Sequence, residues 1–136
     1  MEHYGLPAAG KPRFMRDVGT WKREKMKFNH IGIPTKIPQD GEVYLKEYDV
    51  YCTDHESNPF GIQWMRYGNK CMLPKIVKEI VHVAFEVDDL RKAIEGREVI
   101  IEPNSPSQGV TVAFVLENGA PVELLEFEKS QQSDGG

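Results

Sequence analysis

Phe28-Asn29-His30-Ile31-Gly32-Ile33 and Ile80-Val81-His82-Val83-Ala84-Phe85 decide the fold, because both place a histidine third in a short apolar run. The copies stand 52 positions apart. Each is followed, later in its half, by a closing apolar run after a glycine turn: Gly61-Ile62-Gln63-Trp64-Met65-Arg66-Tyr67 in the first and Gly119-Ala120-Pro121-Val122-Glu123-Leu124-Leu125-Glu126-Phe127 in the second. Aligning Ile62-Gln63-Trp64-Met65 with Val122-Glu123-Leu124-Leu125 pairs Gln63 with Glu123. Each half therefore offers one imidazole on its first strand and one oxygen-bearing side chain on its last. Strict alternation puts His30 on a face with Phe28 and Gly32, His82 with Ala84 and Glu86, and Glu123 with Leu125 and Phe127. The small residues beside both histidines leave room in front of each ring.

Outward from these runs, strand signals outnumber helix signals. Further apolar or β-branched stretches occupy residues 42–53, 98–102 and 110–116, the first long enough for a bend or two strands. Asn118-Gly119 reads as a tight hairpin turn. One helix is well signalled: Asp88 or Asp89 caps Leu90-Arg91-Lys92-Ala93-Ile94-Glu95 and Gly96 ends it. The second half thus reads β-α-β-β-β. In the first half, Pro34 and then Pro38 and Gly41 within residues 35–41 stand where that helix should be, so the crossover is expected as a loop or one distorted turn.

Residues 1–25 form an expected N-terminal extension with no sustained period, where a short helix over Arg16–Lys25 is the one element admitted. The domain is expected over 26–128, with modules at about 26–70 and 79–128, followed by a flexible tail at 129–136, which has little to bury.

The chain has 136 residues, 40% hydrophobic and 28% charged, with a formal net charge of −4 and a pI near 5.6. That size suits one domain. The acidic balance supplies no basic field for phosphate contacts, so no nucleic-acid partner is expected. No run approaches the roughly 18 apolar residues of a membrane span, and the N-terminus lacks the apolar core of a secretory signal. The expected location is cytoplasmic, without a membrane partner. Cys52 and Cys71 are too few for a disulfide scaffold and read as reduced thiols packed in or beside strands.

Residues 27–127 resemble the glyoxalase / bleomycin-resistance group, the vicinal oxygen chelate superfamily. The resemblance is strongest in His82-Val83-Ala84-Phe85-Glu86-Val87-Asp88-Asp89-Leu90 and in the stretch from Gly109 to Phe127 that ends Gly119-Ala120-Pro121-Val122-Glu123-Leu124-Leu125. It implies an α+β fold of two paired βαβββ modules whose curled mixed sheets surround a central cavity, with the first module's helix short or missing. By position it implies His30, Gln63, His82 and Glu123 as ligands of a divalent metal ion: Zn, Ni, Co, Mn or Fe. Gln63 departs from the Glu usual in metal-binding members.

Two imidazoles with one or two oxygen donors suit any of these borderline ions. Gln in place of Glu keeps an oxygen donor but leaves one positive charge uncompensated, which strengthens the Lewis acid and weakens its retention. In the superfamily such a metal holds two adjacent substrate oxygens and stabilises an enediolate-like anion. Glu123 is then the one candidate base of the four.

The resemblance implies a metal-dependent lyase, isomerase or dioxygenase acting on a small oxygenated metabolite. The alternative is a non-catalytic binding protein of the same fold, of resistance or sensor type. A homodimer is expected, as superfamily members often pair across a two-fold axis. His55, in the polar run Asp54-His55-Glu56-Ser57-Asn58, reads as an exposed loop residue. Glu126 reads as solvent-facing, and Glu86, Asp88, Asp89 and Glu95 as the solvated start and face of the helix.

Overall fold

The computed structural model describes residues 26–129. The extension at 1–25, its short helix and the tail beyond residue 129 lie outside the described residues.

The first half contributes β1 (Met26–Pro34), β2 (Val43–Leu45), β3 (Val50–Cys52) and β4 (Ile62–Tyr67), with a single 3-10 turn at His55–Ser57 between β3 and β4. A five-residue helix α1 (Lys75–Glu79) lies in the connection between halves. The second half contributes β5 (His82–Val87), helix α2 (Leu90–Ile94), β6 (Glu98–Ser107), β7 (Val110–Glu117) and β8 (Ala120–Phe127). All eight strands join one sheet in the order β2-β3-β4-β1-β5-β8-β7-β6.

That order reads the same from its centre in both directions. β1 and β5 pair antiparallel, and each has on its other side the last strand of its own half in parallel, β4 and β8. The register repeats as well: Gly32 is opposite Gln63 as Ala84 is opposite Glu123. Across the centre His30 faces Ala84 and Gly32 faces His82. The two βαβββ modules of the sequence reading are present, and the first has no helix at residues 35–42. The loop over residues 35–42, with Pro38 and Gly41 in it, makes the connection from β1 to β2 instead.

The sheet curls over a cavity lined from one side by Leu45, Tyr48 and Val50 and from the other by Ile101, Asn104 and Pro106. β6 makes this bend possible. Its pairing with β7 slips between Val99 and Ile101, between Ile101 and Asn104 and again before Ser107, and each bulge adds local twist. Pro103 and Pro106 are tolerated because β6 is an edge strand with no further ladder to supply. The strand therefore runs to Ser107, beyond the apolar signal that stops at Glu102.

The two faces have different cores. On the concave face Ala84, Val110, Val112 and Leu125 pack together beside the cavity. On the convex face Leu90 of α2, with Ala93 and Ile94, covers Val87, Ala113, Val115 and Leu124. Asp89 caps that helix by accepting the Lys92 N–H at 3.2 Å, and Glu126 accepts the Leu90 N–H at 2.7 Å. Glu126 is thus a half-buried cap reaching across from β8, and not the solvent-facing residue its alternation suggests.

Three more local readings change. Strand pairing is shifted between Phe28 and His30, so Phe28 pairs with Phe85 on the convex face while His30 pairs with Ala84 on the concave one. The extra residue of this bulge is Asn29. Glu86 lies in β5, half-buried, and has no part in the helix start. The region before His82 turns as α1 because Pro74 opens a single helical turn that buries Val77.

Candidate metal centre

His30 and His82 come from the two central strands, and Glu123 from β8 beside them, all on the concave face. Alternation fixes this face, since each residue lies opposite a small or polar partner in the same row of the sheet. The His30 Nε2 is 3.2 Å from Glu123 Oε1, and the His82 Nε2 is 3.1 Å from the same oxygen. Both imidazoles are buried, and the carboxylate is 13% exposed. Residues 41 and 93 positions apart thus point three ligand-type atoms at one spot.

The rings are held differently. Asn29 Oδ1 is 2.6 Å from His30 Nδ1, and Asn29 Nδ2 donates to Glu86 Oε2 at 2.9 Å. This chain gives His30 Nδ1 an acceptor, which puts the proton of the neutral ring there and leaves the Nε2 lone pair facing Glu123. Two lone pairs then meet, and His30 Nε2 is a buried nitrogen without a hydrogen-bond partner. Either an added proton or a cation between them relieves that arrangement. His82 Nε2 can donate to Glu123, but its Nδ1 is buried without a partner. Its ring is fixed by packing instead: edge-on to Phe114 at 4.9 Å between centroids, and so close over Gly32 that a Cβ there would come within 2.1 Å of Cε1.

The electrostatics favour an anionic carboxylate. Burial alone pushes the Glu123 carboxyl up, but the two imidazoles that face it outweigh burial and hold it down at about 2. Glu123 is therefore ionised at neutral pH and ready to ligate. Burial drives the Cys52 thiol the other way, to about 11, so it offers no thiolate. Both cysteines are free and buried.

Gln63 occupies the row of Gly32 and His82, as Glu123 occupies that of Ala84 and His30, and it lines the cavity with Glu123. No hydrogen bond to another described residue holds its amide. On the opposite face of β4, Arg66 pairs with Glu42 and lies over the Tyr51 ring at 4.0 Å. His55 is the residue the sequence reading missed. It is half-buried, and its ring stacks on His30 at 5.3 Å between centroids and 27° between planes.

No family model and no curated protein sequence matches the chain. Solved structures do. A hypothetical protein, BH1468, from Bacillus halodurans C-125 superposes with a TM-score of 0.60 at 20% identity, over 76% of this chain and 96% of that one. Methylmalonyl-CoA epimerase from Mycobacterium tuberculosis matches with a TM-score of 0.49 at 14% identity, over 79% and 91%. The paired modules, their palindromic strand order and the cavity under the curled sheet settle the architecture. It is the glyoxalase, or vicinal oxygen chelate, fold.

Within this glyoxalase-type frame the donor set fits a divalent ion. Two imidazole nitrogens and a carboxylate oxygen lie within 4.8 Å of one another, one of the nitrogens lacks a partner, and the three together suit borderline metals. Among the described residues this is the one such group of His, Cys, Asp and Glu. No described helix is long and apolar enough to cross a membrane.

Proposed function

We propose that the chain is a metal-dependent enzyme of the glyoxalase type, acting on a small oxygenated molecule held under the curled sheet. The observation that carries this reading is the approach of His30 Nε2 and His82 Nε2 to one oxygen of Glu123, with the His30 nitrogen otherwise unpartnered. A buried carboxylate and two buried imidazoles facing one another are costly unless something cationic compensates them. His30, His82 and Glu123 would hold a divalent ion, with Gln63 as a fourth, neutral oxygen donor. Such an ion supplies Lewis-acid stabilisation of negative charge developing on substrate oxygens.

The cavity sets the kind of substrate. Its volume is about 170 Å³, and its walls are mainly apolar: Val50, Met65, Leu73, Val77, Val112 and Phe114 are among them. Glu123, Gln63, Asn104, Tyr48 and Tyr67 are the polar residues of its lining. A molecule with a small apolar body and its oxygens at the Glu123 end fits that division. Glu123 is the one carboxylate lining the cavity among the described residues, so proton transfer falls to it alone and acts on one face of the substrate. Because the two histidines hold its carboxyl well below the usual range, Glu123 serves as a ligand first and is a weak base.

Two copies are proposed to pair. The edge strand β2 exposes Val43, Tyr44 and Leu45, and an apolar edge of this kind gains from being covered.

Metal analysis of purified protein tests the reading. Stoichiometric divalent metal that is absent from a His30→Ala/His82→Ala variant supports it. Metal-free wild-type protein that also fails to take up Zn²⁺, Ni²⁺, Co²⁺, Mn²⁺ or Fe²⁺ on dialysis overturns it. In that case the remaining reading is a non-catalytic binding protein, which Gln63 favours by removing the second carboxylate.

A further inference from the structure

We propose that His55 is a positioning residue for His30: its ring, stacked face to face on the His30 imidazole, fixes the plane in which His30 presents Nε2 to the centre. The consequence for metal affinity rests on the metal reading above; the stacking itself does not.

The internal symmetry of the fold isolates the feature. In the second module the connection between β7 and β8 is the two-residue turn Asn118-Gly119, with both residues at positive φ. The corresponding connection in the first module, between β3 and β4, runs from Thr53 to Gly61. A hairpin needs no such length. The added chain brings His55 onto His30, the ring of the central pair that belongs to the same module.

That connection is also built to hold still. Thr53 Oγ1 accepts the Trp64 N–H at 2.9 Å. Asp54 accepts the Glu56 N–H at 2.8 Å through its carboxylate and the Ser57 hydroxyl at 2.6 Å through its carbonyl. Asn58 accepts from the Phe60 and Ile62 N–H groups and donates to the Ile62 carbonyl at 2.9 Å. Most of its polar side chains are used to fix their own backbone. The Glu56 and His55 side chains are not: the His55 ring makes no hydrogen bond to a described residue and is directed by the stack. A loop histidine without a role would extend into water, yet this one is half-buried.

His30 is then constrained from three directions. Asn29 holds Nδ1 at 2.6 Å, the His82 ring stands edge-on at 5.8 Å and 79°, and His55 covers a face at 5.3 Å and 27°. Rotation of the ring about its Cβ–Cγ bond would carry Nε2 away from Glu123, and the stacked face opposes that rotation.

The full chain, His55→Ala and His55→Phe decide the matter, with circular dichroism confirming that each is folded. Co²⁺ binding is titrated through its visible absorbance, and the His30 ring resonances are followed in metal-free protein. His55→Ala is expected to weaken Co²⁺ binding about three- to tenfold, the equivalent of one lost ring pair, and to shift and broaden the His30 ring signals. His55→Phe, which keeps a stacking face and no ring nitrogen, is expected to restore both. Wild-type affinity in His55→Ala overturns the proposal, as does a His55→Phe variant no better than His55→Ala. If wild-type protein binds no Co²⁺, the metal reading fails, and the metal-free His30 signals of the two variants still decide whether His55 positions the ring.

Discussion

The His82 imidazole lies directly over the Cα of Gly32, where a Cβ would meet Cε1 at 2.1 Å, Nε2 at 2.5 Å and Nδ1 at 2.8 Å. Gly32 is not at a positive φ, so it is glycine for space alone. Gly32→Ala should push the His82 ring off Glu123 and cost about 1–3 kcal/mol of stability through overpacking. Urea unfolding measures the cost, and a Co²⁺ titration of the folded variant should show a larger loss than stability accounts for. A variant that binds metal as wild type does would mean that the His82 position is unimportant to the centre.

Asn29 controls where the His30 proton resides. With its Oδ1 beside Nδ1 and its amide anchored on Glu86, the lone pair of the neutral ring is at Nε2. Asn29→Leu removes the acceptor, so the proton should move to Nε2 and donate to Glu123, masking the nitrogen proposed to ligate. Metal affinity should fall about 10–100-fold, the usual effect of losing such a support. Nitrogen-15 spectra of the metal-free ring should show the tautomer reversed. Glu86→Gln retains an acceptor for the Asn29 amide and should lose less. An unchanged tautomer in Asn29→Leu would remove this account of His30.

Much of this centre was legible in the sequence, because its main parts repeat. His30 and His82 stand out through matching apolar strands, and Gln63 and Glu123 through matching closing strands; the strand register then places each pair in equivalent rows. What was not legible depends on contacts between distant elements or on one-residue irregularities. A bulge at Asn29 moves Phe28 to the other face and cannot be read from alternation, which assumes the pairing that the bulge breaks. Asn29 itself looks like a polar interruption in a strand until Glu86 is seen beside it. His55 has every local mark of an exposed turn, and its partner lies 25 positions earlier. Alternation assigns Glu126 to water, but a helix start needs an acceptor there. α1 is a single turn, too short to display a period.

Acid should act on the metal-free protein through Glu123. Its carboxyl is lowered from an ordinary 4.5 to about 2 by the two imidazoles, against the effect of burial. A depressed folded-state value favours the native state above the ordinary range, and that contribution is lost as pH falls from 4.5 towards 2. Denaturant midpoints measured through this window should therefore decline with falling pH in wild type. Glu123→Gln has no proton to take up at this position, so its decline across the same window should be shallower. Equal slopes for the two proteins would show that the imidazoles do not stabilise the carboxylate.

Gln63→Glu tests the fourth candidate ligand. Gln63 lines the cavity with Glu123 and occupies the symmetry-related row, but its amide brings no charge to compensate a divalent ion. A carboxylate there would complete the neutral set of two imidazoles and two anions, so metal should be held more tightly and leave more slowly. Competition with EDTA reads the dissociation rate, and the variant should release metal at least about tenfold more slowly, the effect of about 1.4 kcal/mol. The cost should appear without metal: two carboxylates facing the same histidines repel, so the metal-free variant should be less stable than wild type. Faster metal release from Gln63→Glu would show that this side chain does not reach the centre, and that the three residues already in contact hold the ion without it.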